Sequence, residues 1–399
     1  MKQYIALLNS EPVLKKLSLI QLIAYFGAWF SNIAIYTLLI YLKVSAEIIA
    51  FVAMLHFLSG VIQAPLTGAI IDKFETKKIM IFMLLIQIFS TLGLLVINSV
   101  GQLLVLYCLI FIKMAAASFY FTAEMSLLPR ILDRNILQTA NELHSIIWSF
   151  SYTFGMALSG YFVYLFGIKS AFLLDAFLFV IAFFILLTTP INVMIQERSQ
   201  NLFLMMLDTF KYLKQEIKVF HLMFIHAFVG FTAFDALVAL LVDKYYHSVL
   251  ATSLSLGLLH SFRAFGLVIG SVFLSKWINR KNLIKLFFLE ATAMFVWSFL
   301  MHNFYLSLFA SILVGFFVTT LWSYTYTLIQ KNMDEKYYGR IVAYNDMLFL
   351  SIAAFTSYMT GFLVEMHWKL ESIGFLIGIT FIIGGIYYFI IYTKYQIKG

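Results

Sequence analysis

The stretch GAIIDKFETKK, residues 68–78, sets the fold class because it concentrates one Asp, one Glu and three Lys between two apolar runs. Each flanking run is long enough for one helical crossing of a bilayer, which takes about 20 residues. Charge confined to such a gap is typical of a tight loop between two membrane-spanning helices. The stretch therefore predicts a helical membrane protein.

The composition of the whole chain supports this prediction. Of 399 residues, 62% are hydrophobic and 12% are charged, whereas a soluble domain averages about 25% charged and about 45–50% apolar residues. The single cysteine, Cys108, excludes an intramolecular disulfide bond. These values exclude a water-soluble fold for a chain of this length.

Apolar runs of spanning length recur twelve times along the chain. They are too long and continuous for barrel strands, and only helices or closed barrels satisfy the backbone groups in lipid. We therefore predict an all-α integral membrane protein with two pseudo-symmetric six-helix bundles, residues 1–191 and 219–399, joined by a cytoplasmic linker at 192–218. The predicted spans are 17–42, 48–71, 79–98, 103–128, 137–165, 169–190, 219–243, 252–275, 284–302, 304–328, 340–366 and 370–393.

The distribution of basic residues predicts the orientation of the chain. Of the 27 Lys and Arg residues, Lys113 and Arg263 lie deep inside predicted spans, four lie in or beside the loops on one side, and all others lie on the side of the two termini. Because positively charged loops stay in the cytoplasm, we predict a multi-pass protein of the cell membrane with both termini cytoplasmic. The same bias accounts for the net charge of +8, so we expect the lipid bilayer as a partner and no nucleic acid.

The two halves of the chain resemble each other. GSVFLSKWINRK, from Gly270, occupies the place of GAIIDKFETKK, and TLIQKNMDEKYYGRIVAYND, from Thr327, occupies the place of SLLPRILDRNILQTANEL, from Ser126. Both pairs are basic loops between equivalent spans. Such repeats are typical of secondary transporters that bind their substrate near the midplane, where the repeats meet.

The loop at 68–78 resembles the signature of the major facilitator superfamily, G-x-x-x-D-[RK]-x-x-x-[RK]-[RK]. Gly68, Asp72, Lys73, Lys77 and Lys78 match it. The resemblance implies the major facilitator fold and a gating loop whose Asp meets the positive end of a helix in the other half. A loop that only fixes topology is the alternative. The second-half copy lacks the acid, so the resemblance implies a one-sided latch.

A second, longer stretch of resemblance indicates which branch of the superfamily the chain is similar to. SLLPRILDRNILQTANELHSIIWSFSYTFGMALSGYFVYLFGIKSAFLLDAFLF is similar to spans five and six of the drug:proton antiporters that include macrolide-efflux and enterobactin-exporter proteins. The chain departs from them where Met156 follows Gly155, in place of a Gly-Pro pair. The resemblance implies proton-coupled efflux of amphipathic small molecules, namely drugs, macrolide-like compounds or siderophores, by alternating access. A lysophospholipid flippase or an uptake permease of the same superfamily is the alternative.

Four charged residues inside spans are the proton-coupling candidates: Asp235, Glu124, Arg263 and Lys113. A charge near the bilayer centre costs at least about 2.5–3.5 kcal/mol and usually faces a cavity or a partner. A carboxylate in a region of low dielectric can hold a proton near neutral pH. We expect Asp235, with Glu124, to carry protons, and Arg263 and Lys113 to respond electrostatically.

Structural ion pairs are the alternative for these residues. Lys113 and Glu124 share a face of span four but lie about 16 Å apart along its axis, so each could pair with a group elsewhere. Asp235 and Arg263, which we interpret as the deep charged groups of the C-terminal half, are expected to approach each other and could form a static salt bridge. Asp175, toward the outer end of span six, is assigned a structural helix–helix role.

Aromatic and polar stripes predict the lining of a substrate cavity. Such surfaces suit a bulky amphipathic solute, although helix packing and interfacial belts use the same side chains. The candidates are Tyr25, Trp29, Asn32 and Tyr36 on span one, His56 and Gln63 on span two, Tyr120 on span four, Trp148 and Tyr152 on span five, and Trp322 on span ten.

Signatures of other protein classes are missing from the sequence. It has no HExxH or similar paired metal ligands, no Walker A motif and no recognisable nucleophile–base pair. We therefore expect no metal, no cofactor, no enzymatic activity and no direct use of ATP. The expected protein is a monomer that exchanges a small molecule for protons.

Overall fold

The computed structural model describes residues 2–191, 202–334 and 337–397, which form helices and short connections. The helices are α1 (Lys2–Ser10), α2 (Pro12–Tyr41), α3 (Ala46–Lys73), α4 (Thr76–Gly93), α5 (Leu103–Ile131), α6 (Arg134–Phe166), α7 (Ile168–Leu187), α8 (Leu202–Gln215), α9 (Ile217–Ala227), α10 (Asp235–Leu241), α11 (Thr252–Leu274), α12 (Leu283–Leu300), α13 (Phe304–Asn332), α14 (Tyr338–Glu365) and α15 (Leu370–Lys394).

Twelve helical segments in these residues are long and apolar enough to cross a membrane. Nine lie within single α-helices, the third and fourth each add a short 3₁₀ turn to α4 and α5, and the seventh, Ile217–Tyr246, combines α9 and α10. Large apolar side chains such as Leu104 and Phe299 are 73% and 76% exposed, which suits helices that face lipid. The predicted all-α architecture with twelve transmembrane helices is therefore confirmed.

The short helix α1 was not predicted. Its Leu7 is buried, and the Tyr4 hydroxyl donates to Glu142 of α6 at 3.2 Å. Pro12 begins α2 directly afterwards, a position where proline costs no helical hydrogen bond. The chain therefore makes one extra packed helix before its first span.

The seventh span, predicted over 219–243, lies within the observed span Ile217–Tyr246, but it is broken and is not one continuous helix. A 3₁₀ turn, Phe228–Thr232, follows α9, two non-helical residues follow it, and α10 begins at Asp235. A π-helical turn, Val242–Tyr246, completes the span. Gly230 packs so closely on α14 that a Cβ atom there would lie 2.6 Å from the Phe349 carbonyl oxygen, and side chains of neighbouring helices satisfy the freed carbonyls.

The chain packs into two compact units. Unit 1 comprises Met1–Val44, Pro65–Ser199 and Ala251–Ser261, and unit 2 comprises Ser45–Ala64, Gln200–Leu250 and Phe262–Gly399. The first part of α3 therefore belongs to unit 2, and the first part of α11 belongs to unit 1. The bundle boundaries expected at residues 191 and 219 stay a prediction.

Unit 1 is built around α2 and α4. The helix α2 packs on α6 and α7, and α4 packs on α5 and α7. On α6, a Cβ atom at Gly160 would lie 2.5 Å from the Ser253 carbonyl oxygen, and Gly257 of α11 lies opposite. Small residues at this crossing let the two backbones touch.

Unit 2 is built around α12 and the crossing of α11 with α13. The helix α12 packs on α13 and α15. Gly266 and Gly270 of α11 lie so close to α13 that a Cβ atom at either position would overlap a backbone carbonyl oxygen. Gly315 of α13 lies equally close to the Arg263 backbone. The crossing therefore holds Arg263 at a fixed place in the unit.

Candidate functional site

The break in the seventh span is the first part of the candidate site. Arg263 of α11 donates from Nη2 to the Thr232 carbonyl oxygen at 3.1 Å, and its guanidinium lies 4.3 Å from the centre of the Phe234 ring. Ser357 of α14 donates to the Ala233 carbonyl oxygen at 3.2 Å. Unwound backbone at membrane depth is tolerated where such groups satisfy it, and broken helices of this kind mark binding sites in transporters.

Asp235 is the first residue of α10, directly after the break. It is partly buried, and Arg263 contacts Phe234, the preceding residue. The structure places Asp235 and Arg263 at the same break, and the direct approach of the two side chains stays a prediction. Their role in proton coupling stays a prediction.

Glu290 of α12 is a buried carboxylate that the sequence interpretation overlooked. It is 0% exposed, and neither carboxylate oxygen has a hydrogen-bond partner among the residues that the structure describes. The charge of Arg263 acts on it. The interpretation of Asp235 and Arg263 as the deep charged groups of this half was therefore incomplete. The signal was present as the one acid inside the apolar run LFFLEATAMFVW, residues 286–297.

His226 of α9 lies among aromatic rings in unit 2. The ring centroids of Trp322, Tyr326 and Phe349 lie 5.6, 5.4 and 5.7 Å from its own. Its Nδ1 is hydrogen-bonded to the Thr325 hydroxyl at 2.8 Å. Trp322, a predicted cavity residue, is 43% exposed, so its outer face is open to a solute or to lipid.

Lys113 and Asp175 form a buried ion pair in unit 1. The Lys113 Nζ atom lies 2.5 Å from Asp175 Oδ2, with side chains 7% and 0% exposed. The Ser31 hydroxyl donates to the same oxygen. The pair links α5 to α7, and Ser31 adds α2. This contact agrees with the structural role assigned to Asp175 and with the alternative interpretation of Lys113 as a paired group.

Glu124 lies with two predicted cavity residues in unit 1. It is 3% exposed, and its charge acts on the hydroxyls of Tyr25 and Tyr120. The Tyr25 ring lies edge-on to that of His144, with centroids 6.2 Å apart, and Gln21 Nε2 donates to the His144 carbonyl oxygen at 3.0 Å. Residues from α2, α5 and α6 thus form a buried polar cluster around one carboxylate.

Trp29, Trp148 and Tyr152 form an aromatic cluster in unit 1. The ring centroid of Trp29 lies 4.7 Å from that of Tyr152 and 6.4 Å from that of Trp148. The Trp29 ring fits against α6 because residue 155 is glycine: a Cβ atom at Gly155 would lie 2.6 Å from Trp29 Cδ1. Trp148 is 39% exposed, and the Tyr152 hydroxyl lies 3.4 Å from Nδ1 of His260. The predicted stripes of spans one and five therefore meet.

The other four predicted cavity residues lie elsewhere. Tyr36 is 1% exposed and belongs to the helix core, and Asn32 is partly buried. His56 and Gln63 lie in the part of α3 that belongs to unit 2, where His56 Nδ1 lies 2.8 Å from the Val52 carbonyl oxygen. Their contact with a substrate stays a prediction.

The predicted gating loop is shorter than the sequence pattern suggested, because α3 extends to Lys73 and α4 begins at Thr76. The side chains of Gly68, Asp72 and Lys73 lie outside the described residues. Lys77 donates to the carbonyl oxygens of Leu187 and Thr189 at 3.0 and 2.7 Å.

Lys78, the residue after Lys77, forms a salt bridge with Glu75, and the Lys78 Nζ atom lies 2.7 Å from Glu75 Oε2. The hydrogen bonds of Lys77 to the Leu187 and Thr189 carbonyl oxygens connect the start of α4 to the end of α7 within unit 1. The latch role of Asp72 stays a prediction.

The helix α8, from the predicted linker, is docked on unit 2. The backbone N–H of Asp334 donates to the Tyr212 hydroxyl at 2.8 Å, and the Tyr212 ring stacks on Tyr337 at 4.2 Å. Arg340 reaches Asp208 at 3.4 Å. Burial raises the pKa of Tyr212 above its ordinary value of 10.0, so the neutral phenol is the docked form.

Replacement of Tyr212 by phenylalanine is expected to loosen α8. The lost hydrogen bond contributes about 0.5–1.5 kcal/mol, so amide hydrogen exchange in α8 should accelerate about two- to tenfold. In the native protein the same loosening should appear as pH rises through the pKa of the phenol, because the charged form disfavours docking. Amide hydrogen exchange measured by mass spectrometry tests both the effect of the substitution and the effect of pH. Tyr41→Phe, at an exposed tyrosine, is the control, and unchanged exchange in Tyr212→Phe would refute this docking.

Within the described ranges, no group of three or more His, Cys, Asp or Glu side chains is arranged to hold a metal ion. The site offers carboxylates, aromatic rings and hydrogen-bonding side chains, which suit contact with a solute.

Comparison with known sequences gives one family. A model described as Major Facilitator Superfamily matches residues 17–357. YfiS of Bacillus subtilis (strain 168), an uncharacterised MFS-type transporter, is 27% identical over 194 residues, which is 48% of this chain and 46% of YfiS. The chain thus spans about half the length of this curated relative.

Solved structures share the fold over almost the whole chain. The nucleoside transporter NupG has a TM-score of 0.71 at 14% identity, covering 96% of this chain and 100% of its own. A bacterial homologue of the human lysosomal transporter Spinster has a TM-score of 0.76 at 11% identity, covering 96% and 97%. A D-xylose–proton symporter has a TM-score of 0.74 at 11% identity, covering 94% and 96%. Likeness at these identities shows the fold alone.

Proposed function

Because the chain belongs to the Major Facilitator Superfamily, we propose that it exports amphipathic small molecules in exchange for protons by alternating access. The coarser part of this statement follows from the family: the chain is a multi-pass membrane protein and a transporter rather than an enzyme. The coupling ion, the direction and the substrate class are the proposal. The D-xylose–proton symporter shares this fold, which gives proton coupling a precedent in the architecture.

The broken seventh span is the observation that carries proton coupling. Asp235 follows the break directly, and Arg263 is held at the break by the Thr232 carbonyl oxygen. A carboxylate and a cation that share one unwound segment can change their distance when the segment rewinds. Because protonation of the carboxylate depends on that distance, a change of conformation would change its affinity for a proton.

The aromatic cluster of Trp29, Trp148 and Tyr152 supports an amphipathic substrate. Its rings offer a large apolar surface, Trp148 is 39% exposed, and the Trp29 indole N–H is buried without a hydrogen-bond partner among the described residues. Glu124, with Tyr25 and Tyr120, adds a polar cluster in the same unit. A solute with an apolar body and a few polar groups matches such a surface. Export as the direction rests on the resemblance of spans five and six to drug:proton antiporters.

Inverted membrane vesicles with an acidic interior test the proposal. Ethidium and erythromycin, added separately, should each be tried as the exported probe while a pH-sensitive dye reports the gradient. We expect probe-dependent loss of the gradient with the native protein and none with Asp235→Asn, because the amide cannot carry a proton. Asp243→Asn, the same change about two turns further along the span, is the matched control.

Two outcomes would contradict the proposal. If native protein binds a probe but moves no protons with it, the coupling assignment is wrong and an uptake permease or a lipid flippase gains support. If Asp235→Asn moves protons at the native rate, Asp235 does not carry them.

A further inference from the structure

A crevice opens at the end of unit 1 that is predicted to face outside, where spans one, three and five end and span six begins. We propose that this crevice binds one anionic phospholipid, with the lipid phosphate against Lys169 and one acyl chain along an apolar wall. Such a site is separate from the proposed proton coupling and from the transported solute. The bilayer, expected above as a general partner, would supply one specific ligand.

The size and lining of the crevice suit part of a lipid. Its volume is about 310 Å³, at the lower end of the range for small-molecule sites. This space can hold a head group and the upper part of one acyl chain, and it is too small for a whole phospholipid. The wall is mostly apolar and includes Leu38, Leu42, Ile97, Phe166 and Phe172.

The crevice is left open because α6 ends and α7 begins at a single residue, Gly167. This glycine caps both helices, with φ 84° and ψ 170°, in a region of backbone conformation that is essentially restricted to glycine. A Cβ atom at Gly167 would meet no atom within 4 Å. The turn therefore borders open space rather than packed side chains.

The connections around the crevice carry positive charge and no acid. Residues 42–44, 97–102 and 167–169 contain Lys43 and Lys169 and no Asp or Glu. Both lysine side chains are exposed, and in the part of the chain that the structure describes neither ammonium group has a hydrogen-bond or ion-pair partner. Two of the four lysines predicted on this side of the membrane are thus available to an anion.

Lys43 is held beside the crevice by an unusual backbone conformation. It directly follows Leu42 of the wall, and its φ of 52° is uncommon for a residue other than glycine. Its backbone N–H donates to the Ile40 carbonyl oxygen at 3.0 Å. The next acid along the chain, Glu47, accepts a hydrogen bond from the Tyr358 hydroxyl at 3.2 Å. Strained backbone of this kind is often found at functional sites.

Lys169 and Asn98 are the wall residues that can donate to a phosphate group. The Asn98 Nδ2 atom donates to the Val96 carbonyl oxygen at 2.8 Å, and a side-chain amide has two hydrogens to donate. Ammonium and amide donors together suit a phosphodiester, because its oxygens accept charge-assisted hydrogen bonds. The second cation, Lys43, disfavours a head group such as choline that carries its own positive charge.

The surface near the crevice places it at the level of lipid head groups. Tyr161, Tyr164 and Phe166, in the last turns of α6, are exposed aromatic residues. Aromatic side chains at the ends of spans are enriched at the interface between membrane and water. The amphipathic anions at that level of a bilayer are phospholipids, so we assign the crevice to a lipid rather than to a soluble anion.

Native mass spectrometry of the purified full-length protein tests the site with two lipids that have identical acyl chains. Phosphatidylglycerol should bind as one retained molecule at concentrations at which phosphatidylcholine dissociates. In Lys43→Asn combined with Lys169→Gln, the affinity for phosphatidylglycerol should fall about 25-fold, because one lysine near anionic lipid changes affinity about fivefold. Asparagine is chosen at position 43 because it tolerates positive φ.

Lys244→Gln combined with Lys369→Gln is the matched control. Both lysines are predicted on the same side of the membrane, are exposed and belong to unit 2. Phosphatidylglycerol binding should be retained in this variant. An equal loss in both double variants would overturn the proposal, because it would indicate general attraction of anionic lipid to positive charge.

Two further variants test the apolar wall while both lysines are kept. Leu42→Trp should weaken phosphatidylglycerol binding by filling the crevice, and Phe166→Ala should weaken it by removing an exposed part of the wall without overpacking. SDS unfolding identifies a variant that is merely unstable. Native binding by both variants, with native stability, would refute the wall as the acyl-chain site.

A soluble competitor distinguishes a lipid from a free phosphate compound. Glycerol 3-phosphate has the phosphate of the head group without acyl chains, and it should not displace bound phosphatidylglycerol at equal concentration. Displacement at equal concentration would overturn the assignment to a lipid. Equal affinity for phosphatidylcholine and phosphatidylglycerol would overturn the assignment to an anionic head group.

Discussion

Replacement of Lys113 by leucine should lower the free energy of unfolding by about 3–5 kcal/mol, because removal of one partner leaves a buried charge uncompensated. Among the described residues, Asp175 would keep only the Ser31 hydroxyl as a donor, and its side chain is 0% exposed. Unfolding of the detergent-solubilised protein by increasing SDS, followed by tryptophan fluorescence, measures the change.

A double variant separates this structural role from the proton-coupling role predicted for Lys113. Lys113→Leu combined with Asp175→Leu should recover most of the lost stability, because well-packed apolar residues often replace a buried ion pair without cost. If Lys113→Leu alone unfolds like the native protein but moves no protons, the ion pair is not structural and Lys113 belongs to the coupling machinery.

The Gly270→Ala variant should lose about 1–3 kcal/mol of stability, the usual cost of overpacking a close contact. A Cβ atom at Gly270 would overlap the Phe316 carbonyl oxygen, and backbone atoms of α13 cannot rotate away as a side chain would. The two helices must separate. Because Gly315 packs on the Arg263 backbone at the same crossing, proton movement should fall as well.

Gly101→Ala is the control for this substitution. A Cβ atom there would meet only the Ser99 hydroxyl, at 3.9 Å, so its stability should stay within about 0.5 kcal/mol of native. Equal stability of the two alanine variants, measured by SDS unfolding, would show that α11 and α13 are not held at contact distance.

Hydropathy and loop charge were sufficient to predict the twelve spans. In lipid the backbone of each long apolar run must satisfy its hydrogen bonds internally, and a helix does so. They could not predict the break in the seventh span. FTAFDALVALL contains no proline, and the break depends on partners from other helices, such as Arg263 and Ser357. Periodicity within one helix carries no information about those partners.

The candidate site was likewise predictable from the sequence only in part. The stripes with Trp29 and Trp148 were recognisable from helical spacing, but their meeting depends on the packing of α2 on α6. The contact of Lys113 with Asp175 was foreseen only as an alternative, since the sequence does not state which helices are neighbours. Glu290 was visible and was overlooked, because one acid in an apolar run does not alter its hydropathy enough to stand out.

The pairing of Lys113 with Asp175 has a consequence for biosynthesis. Asp175 follows Lys113 by 62 residues, so at about 5–20 residues per second the ribosome makes it roughly 3–12 s later. During that interval the fourth span holds an unpaired ammonium group, which costs about 2.5–3.5 kcal/mol if it enters lipid alone. We expect the fourth span to remain at the insertion machinery until the sixth span arrives and the two helices enter the bilayer together.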